Sequence, residues 1–374
     1  MFDSQNAPGA PIIPAEVWPP GEQESVGNAP AAPPVRLGTT RGGPAAVRWP
    51  WSRYLRTIAL YSLTLWLVVT VVFLLPRLMP GDPLQSLDNP DSGTFVYDAQ
   101  IRAKVAAYYG LDQPLVSQYG AYLSGLGRGD LGWSISQNTP VGTLIVQRLP
   151  WTLLLMTSAL ALSSTISFLA GVNAAWRRGG RVDRTLIVSL SVARAIPEYA
   201  IASVLLVCFA VLLPVFPQGG GQTAFARYPS VFAAGADVLH HLALPLAALT
   251  LGLAAHKFLI VRNTVISTLG EDYMLLARAK GLPVRLLKYR HAGRNALLPF
   301  LAALGVQAGF AAGGSLFVEA VFAYPGMGTL INGAVTARDY PLLQGTFLVL
   351  ALVVLLANLV VELAYGPVDP RVAR

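Results

Sequence analysis

Apolar residues fall in six long runs separated by polar stretches. The first covers about Tyr54 to Leu75, roughly twenty residues, enough for a helix to cross a hydrocarbon core. Five more follow: about Leu149 to Trp176, Leu186 to Leu213, His240 to Arg262, a run beginning near Leu297, and Leu342 to Tyr365. Such runs predict membrane-spanning helices, because in lipid a helix satisfies its own backbone donors and acceptors. Between the first two runs lies a polar segment punctuated by Met79-Pro-Gly-Asp-Pro83, Gly110-Leu-Asp-Gln-Pro114 and Arg128-Gly-Asp-Leu-Gly132, all turn chemistry. About seventy residues is long for a loop without elements of its own, so a small helical subdomain is expected over 79–148. Residues 1–50 are rich in Pro, Gly and Ala with no apolar period, and read as a disordered leader. No secretory signal is visible, since the first apolar run starts far in and lacks a small-residue cleavage site.

Charge orients these runs. Arg41, Arg48, Arg53 and Arg56 precede the first, and Arg177, Arg178, Arg181 and Arg184 fill the gap between the second and third. Arg278, Lys280, Arg285, Lys288, Arg290 and Arg294 crowd the gap between the fourth and fifth. The excess of Lys and Arg marks these places as cytoplasmic. Six spans then put both termini inside, and 76–148, 214–239 and the segment before the last run outside. Only 12% of residues are charged, against roughly 25% in soluble domains, and the mean hydropathy is +0.53. The net charge of +8 does not indicate nucleic acid, because the cations sit in the loops between spans. The one cysteine, Cys208, can form no intrachain disulfide and reads as a small buried hydrophobe.

The densest basic stretch, 271–299, reads as two short helices with a break. The first ends at Gly281, which can take the left-handed C-cap conformation, and Pro283 follows where the helix must stop. The second runs from about Val284 to Gly293, with Leu286 and Leu287 beside cations. An apolar and basic helix tethered between spans is suited to press against a soluble partner.

In this stretch Ala277-Arg-Ala-Lys-Gly281, with Arg294-Asn-Ala-Leu-Leu-Pro299 downstream, resembles the ATPase-docking loop of importer permeases of the ATP-binding-cassette (ABC) type. It looks most like the dipeptide and oligopeptide branch, and the first of that branch's two permeases. The general pattern is Glu-Ala-Ala, three residues, Gly, then a later Leu-Pro. Here Leu275-Leu276-Ala277 replaces Glu-Ala-Ala and the gap to Leu298-Pro299 is longer, both as in the peptide branch. The three turn motifs, Val318-Glu-Ala-Val-Phe-Ala-Tyr-Pro-Gly326-Met-Gly328, Ala337-Arg-Asp-Tyr-Pro341 and Asp369-Pro-Arg371 extend the resemblance over about residues 54–372.

The resemblance implies an all-α integral membrane protein of the type I importer permease fold. Its parts would be the leader (1–50), a first transmembrane helix (51–78), the extracytoplasmic subdomain (79–148), a five-helix core (149–368) with the docking loop at 263–297, and a cytoplasmic tail (369–374). It implies residence in the inner (cytoplasmic) membrane, a homologous second permease, two ATPase subunits holding ATP and Mg, and an extracytoplasmic solute-binding protein. No cofactor is expected in this chain. Coupling would rest on Glu271, Asp272, Ala277, Arg278, Ala279, Lys280, Gly281, Leu282, Pro283, Arg285, Leu286, Leu287, Arg290, Arg294, Asn295 and Pro299. Binding-protein contact would fall to Asp82, Arg128, Asp130, Glu319, Tyr324, Pro325, Gly326, Asp339 and Tyr340. Peptides are the expected cargo; similar permeases carry nickel chelates, glutathione, opines or sugars.

Candidate pathway residues lie in the third and fifth runs. Arg194 and Glu198 are four positions apart, on one helical face where they can pair, with Pro197 kinking the helix between them. Charges within a span usually face protein or a water-filled cavity, although near the interface the pair could simply snorkel. The family usually places small neutral residues here. Gly305, Gly309 and Gly313, one on each turn beside Gln307, allow close helix approach. His240 and His241 point about 100° apart on a helix and read as interfacial, not as metal ligands.

The sequence contains no Gly-x-x-x-x-Gly-Lys-Ser/Thr loop, no His-Glu-x-x-His and no Gly-x-Ser-x-Gly elbow. ATP hydrolysis would therefore belong to another subunit. The competing reading, a lone channel or secondary transporter, would lead one to expect inverted repeats, and no convincing repeat links the halves.

Overall fold

The computed structural model describes residues 51–78 and 112–368. The leader, Asp82, the first turn motif, the first two residues of the second and the tail lie outside the described residues. Helix α1 spans Trp51–Leu78 and α2 Leu115–Gly127. A two-residue antiparallel hairpin, β1 (Trp133–Ser134) with β2 (Thr139–Pro140), precedes α3 (Val141–Trp176). Then come α4 (Arg181–Ala195) and α5 (Glu198–Leu206), the latter running into a π-helical stretch, Val207–Leu212. Helix α6 is Val231–Leu269 and α7 Asp272–Ala279, followed by a second π-helical segment, Leu286–Gly293. Helices α8 (Leu297–Val321), α9 (Met327–Ala337) and α10 (Tyr340–Val368) complete the fold.

Among the described residues four continuous helices and two bent helix pairs stand as candidate spans, six if each bent pair crosses once. Helices α1, α3, α6 and α10 are each long and apolar enough to cross a membrane. The third candidate is α4 with α5 and its π-helical continuation to Leu212, bent by 99°, and the two halves of α8, 297–309 and 311–321, are inclined by 48°. Two spans start earlier than hydropathy suggests. Helix α3 begins at Val141, not Leu149, because Val141, Leu144 and Ile145 bury one face against α9 and α10. Helix α6 begins at Val231, not His240, with Ser230 Oγ accepting the Ala233 N–H as an N-cap.

The closest pair is α3 with α6. Ser167 Oγ donates to the Ala254 carbonyl at 2.8 Å, and a Cβ on Gly171 would stand 2.9 Å from Val261. Small residues at every fourth position of α3 thus bring two backbones together. Fully buried between these helices, Lys257 Nζ donates to Ser163 Oγ at 2.6 Å and Ser164 Oγ at 3.0 Å. Helix α1 sits at the periphery, packing Val69 and Val72 on Leu348 of α10. Leu60, Leu63, Trp66 and Leu67 of α1 stay exposed, as a lipid-facing surface requires.

Candidate functional site

The basic stretch of 271–299 hangs between α6 and α8. Helix α7 ends in a Schellman motif: the Gly281 N–H reaches Arg278 O at 2.9 Å and the Leu282 N–H reaches Ala277 O at 3.4 Å. Gly281 sits at φ +70°, with nothing near where a Cβ would be, so glycine is required there by conformation and not by space. Pro283 O then accepts the Leu286 and Leu287 N–H groups at 2.9 and 3.1 Å and opens the second segment. That segment falls where a second helix is expected but is wound as a π-helix.

The stretch has two faces. Met274, Ala277, Leu287, Ala292 and Ala296 turn inward onto Val172, Val261, Val265 and Phe300. Leu275, Leu276 and Val284 stay exposed, among exposed Glu271, Asp272, Arg278, Ala279, Lys280, Pro283, Arg285, Arg290, Arg294 and Asn295. Leu282, Leu286 and Pro299 are half-buried. This corrects the expected division of roles. Leu287 and Ala277 belong to the protein's own core, and the apolar surface offered outward is Leu275, Leu276 and Val284. The stretch is pinned to its neighbours. Lys288 Nζ donates to Asn173 Oδ1, Asn173 Nδ2 donates to Tyr289 OH at 3.1 Å, and Arg278 lies 5.6 Å from the Trp176 ring centre. Asn295 Nδ2 donates to Tyr273 OH at 2.6 Å; burial, and then the Glu271 charge, raises that phenol above its ordinary pKa. At the same end Arg262 holds Asp183 through two bonds of 2.6 and 2.8 Å, and Asp183 also accepts the Gly179 N–H.

At the opposite end the charged motif residues are buried. Glu319 accepts from Thr152 Oγ1 at 2.7 Å and the Gly328 N–H at 2.6 Å, and Thr152 Oγ1 accepts the Met327 N–H at 2.7 Å. Side chains at Gly326 and Gly328 would collide with the Glu319 carboxylate. Tyr324 is fully buried edge-on to Trp151, and burial, with Glu319 second, raises its phenol. Asp339 accepts from Ser134 Oγ (2.6 Å), the Ser136 N–H (2.9 Å) and Ser136 Oγ (2.8 Å), and its other oxygen accepts the Leu342 N–H at 3.1 Å. It therefore caps α10 and anchors the hairpin. Glu319, Tyr324, Gly326, Asp339 and Tyr340, expected at a binding-protein contact, are all buried within this chain, where Glu319 and Asp339 serve as internal acceptors. Pro325 is half-buried, whereas Arg128 and Asp130 are exposed.

The pathway candidates separate as well. Arg194 and Glu198 do not pair. Helix α4 stops at Ala195, Ile196 and Pro197 are extended (ψ 127° and 144°), and α5 leaves at 99°, so the two residues no longer share a helical face. Arg194 is exposed, while the half-buried Glu198 side chain lies against Gly252 of α6. Gln307 is buried and donates to Leu253 O at 3.1 Å, tying α8 to α6. A Cβ on Gly305 would meet Val361 at 3.3 Å and one on Gly309 would meet Val354 at 3.7 Å, both on α10, whereas Gly313 faces open space. His240 and His241 bond different carbonyls, Val215 and Asp237.

A family model described as "Binding-protein-dependent transport system inner membrane component" matches residues 167–374. The chain belongs to this family. The match takes in α4 through α10 and the whole basic stretch. A Brucella suis protein named as a peptide permease is 37% identical over 322 residues, 86% of this chain and 98% of the relative. A Sinorhizobium fredii protein named as a peptide ABC transporter permease is 34% identical over 320 residues, 86% of this chain and 97% of its own. The glutathione transport system permease protein of Escherichia coli K12 is 34% identical over 312 residues, 83% and 94% of the two chains. The chain is thus the permease subunit of an ABC importer, built on the type I permease fold. In this permease the basic stretch is the coupling-loop candidate, and sequence reasoning missed what holds it, Asn173 and Trp176, as well as the Asp183–Arg262 pair that ties α4 to α6 at the same end. The signal was present, since Asn173 and Asp183 are polar residues within or beside apolar runs.

Proposed function

We propose that this permease forms, with a homologous second permease, the membrane route of an ATP-driven importer of di- and oligopeptides. A solute-binding protein delivers the cargo outside, and two ATPase subunits holding ATP and Mg dock inside. The observation that carries the reading is the outward face of the loop: Leu275, Leu276 and Val284 exposed beside Arg278, Lys280 and Arg285, on a stretch fastened to α3 and α6. Three apolar side chains, worth about 1.5–3 kcal/mol each on full burial, supply affinity, and the ring of cations supplies orientation.

The excess of Lys and Arg in this loop and in the 177–184 connection supports a cytoplasmic location for both, and with it cytoplasmic termini. Arg128 and Asp130 then fall on the outer side, where the binding protein lands. ATP binding closes the ATPase pair, the loop follows, and the packed α3–α6 unit rocks between inward-open and outward-open states. The names of the relatives favour peptide cargo; the same architecture with another cargo is the alternative.

The test is Leu276→Asp combined with Val284→Asp. The variant permease should insert normally, lose co-purification with the ATPase subunits and lose ATP-dependent peptide uptake. Unchanged co-purification with intact uptake overturns the docking assignment.

A further inference from the structure

The third candidate span breaks beside a charged residue. Pro197, at φ −58° and ψ 144°, separates two helices inclined by 99°, and α5 opens on Glu198. The Glu198 side chain lies in a notch made of two other helices. A Cβ on Gly252 of α6 would stand 2.6 Å from Glu198 Cγ and 3.0 Å from Oε1, and one on Gly314 of α8 would stand 3.8 Å from Cδ. Glycine at 252 is what leaves room for the acid. Next to this seat Gly313 is exposed, and nothing lies within 4 Å of where its Cβ would be.

Glu198 forms no hydrogen bond or ion pair with any of the described residues. The neighbouring cation, Arg194, is carried away by the bend. A carboxylate packed against apolar helices without a donor is costly, and Glu198 is only half-buried, so one side of it remains open to a ligand. The open side suits a compact cation with hydrogens to donate. A divalent metal would demand several oxygen or nitrogen ligands, and no group of three His, Cys, Asp or Glu residues gathers among the described residues. An ammonium group is satisfied by one carboxylate and water.

We propose that Glu198 is a cargo-binding residue whose carboxylate receives the cationic amino group of the peptide as it passes the α5–α6–α8 notch. The inference rests on the peptide reading above. The isosteric Glu198→Gln keeps the packing against Gly252 and Gly314 and removes only the charge.

The experiment is ATP-dependent uptake of radiolabelled trialanine by the complete importer in proteoliposomes, with the binding protein saturating. Glu198→Gln should lower the uptake rate about tenfold, the loss expected for one charge-assisted hydrogen bond. Glu198→Asp should recover part of it, and Gly252→Ala, which displaces the acid, should fall with Glu198→Gln. All three variants should co-purify with the ATPases in wild-type amounts. Unchanged uptake in Glu198→Gln overturns the proposal, as does a loss of uptake that follows a loss of assembly, which marks a packing residue. No trialanine uptake by the wild-type importer, with ATPase docking intact, instead defeats the peptide reading.

Discussion

The two ends of the permease treat charge in opposite ways. In the coupling loop Arg278, Lys280, Arg285, Arg290 and Arg294 stay exposed around an apolar patch. At the far end Glu319 and Asp339 are fully buried, and each accepts several hydrogen bonds from backbone and hydroxyl groups. The first arrangement leaves its binding capacity free for another molecule. The second spends it inside, holding α9, the hairpin and the start of α10 in register. Two equally polar motifs therefore differ in kind: one is a surface, the other a set of internal clasps.

The sharpest way to break this contrast is at Glu319. Glu319→Ala strands the Gly328 N–H and Thr152 in the interior and should cost about 3 kcal/mol or more, read as a large drop in thermal midpoint in detergent. A midpoint within a degree of wild type would remove the internal role. Next, Leu287→Asp buries a carboxylate in the loop's own core and should destabilise by about 2–4 kcal/mol, whereas Leu276→Asp should leave the midpoint unchanged and abolish ATPase co-purification. Equal midpoints for the two variants would erase the distinction between the loop's faces. Gly281→Ala forces a side chain into a left-handed position and should cost about 1 kcal/mol, with a matching loss of coupled uptake. The smallest effect is expected from Arg285→Gln, within about 0.5 kcal/mol of wild-type stability. Its signature is a weakened, salt-sensitive ATPase association in a co-purification titration.

The spans were legible because lipid imposes length and hydropathy on them, and the loop's break was legible because Gly281 and Pro283 enforce it locally. Which leucine faces out was not. Leu275, Leu276 and Leu287 have the same hydropathy, and only the packing of Met274 and Ala277 onto Val172 and Val265 decides the question. The same holds for Glu319, which in the sequence looks like a loop charge. Gly326 and Gly328 carry the hint, since both must lack side chains for the acid to fit. Pro197 was read as a local kink in one helix. It instead ends one and starts the next, because the residue before a proline resists the α conformation, and Ile196 takes φ −96° and ψ 127°. The pairing of Arg194 with Glu198 failed with that continuity.

Gly252 and Leu269 belong to one helix with no proline between them. The seventeen helical rises from Gly252 to Leu269 make a shaft of about 26 Å, stiff enough to carry torque. A twist of about 20° applied at its foot sweeps each Cα along its cylinder by about 0.8 Å. Gly252 would shift by that much beneath the acid resting on it, so turning the foot is expected to tighten or slacken the grip above.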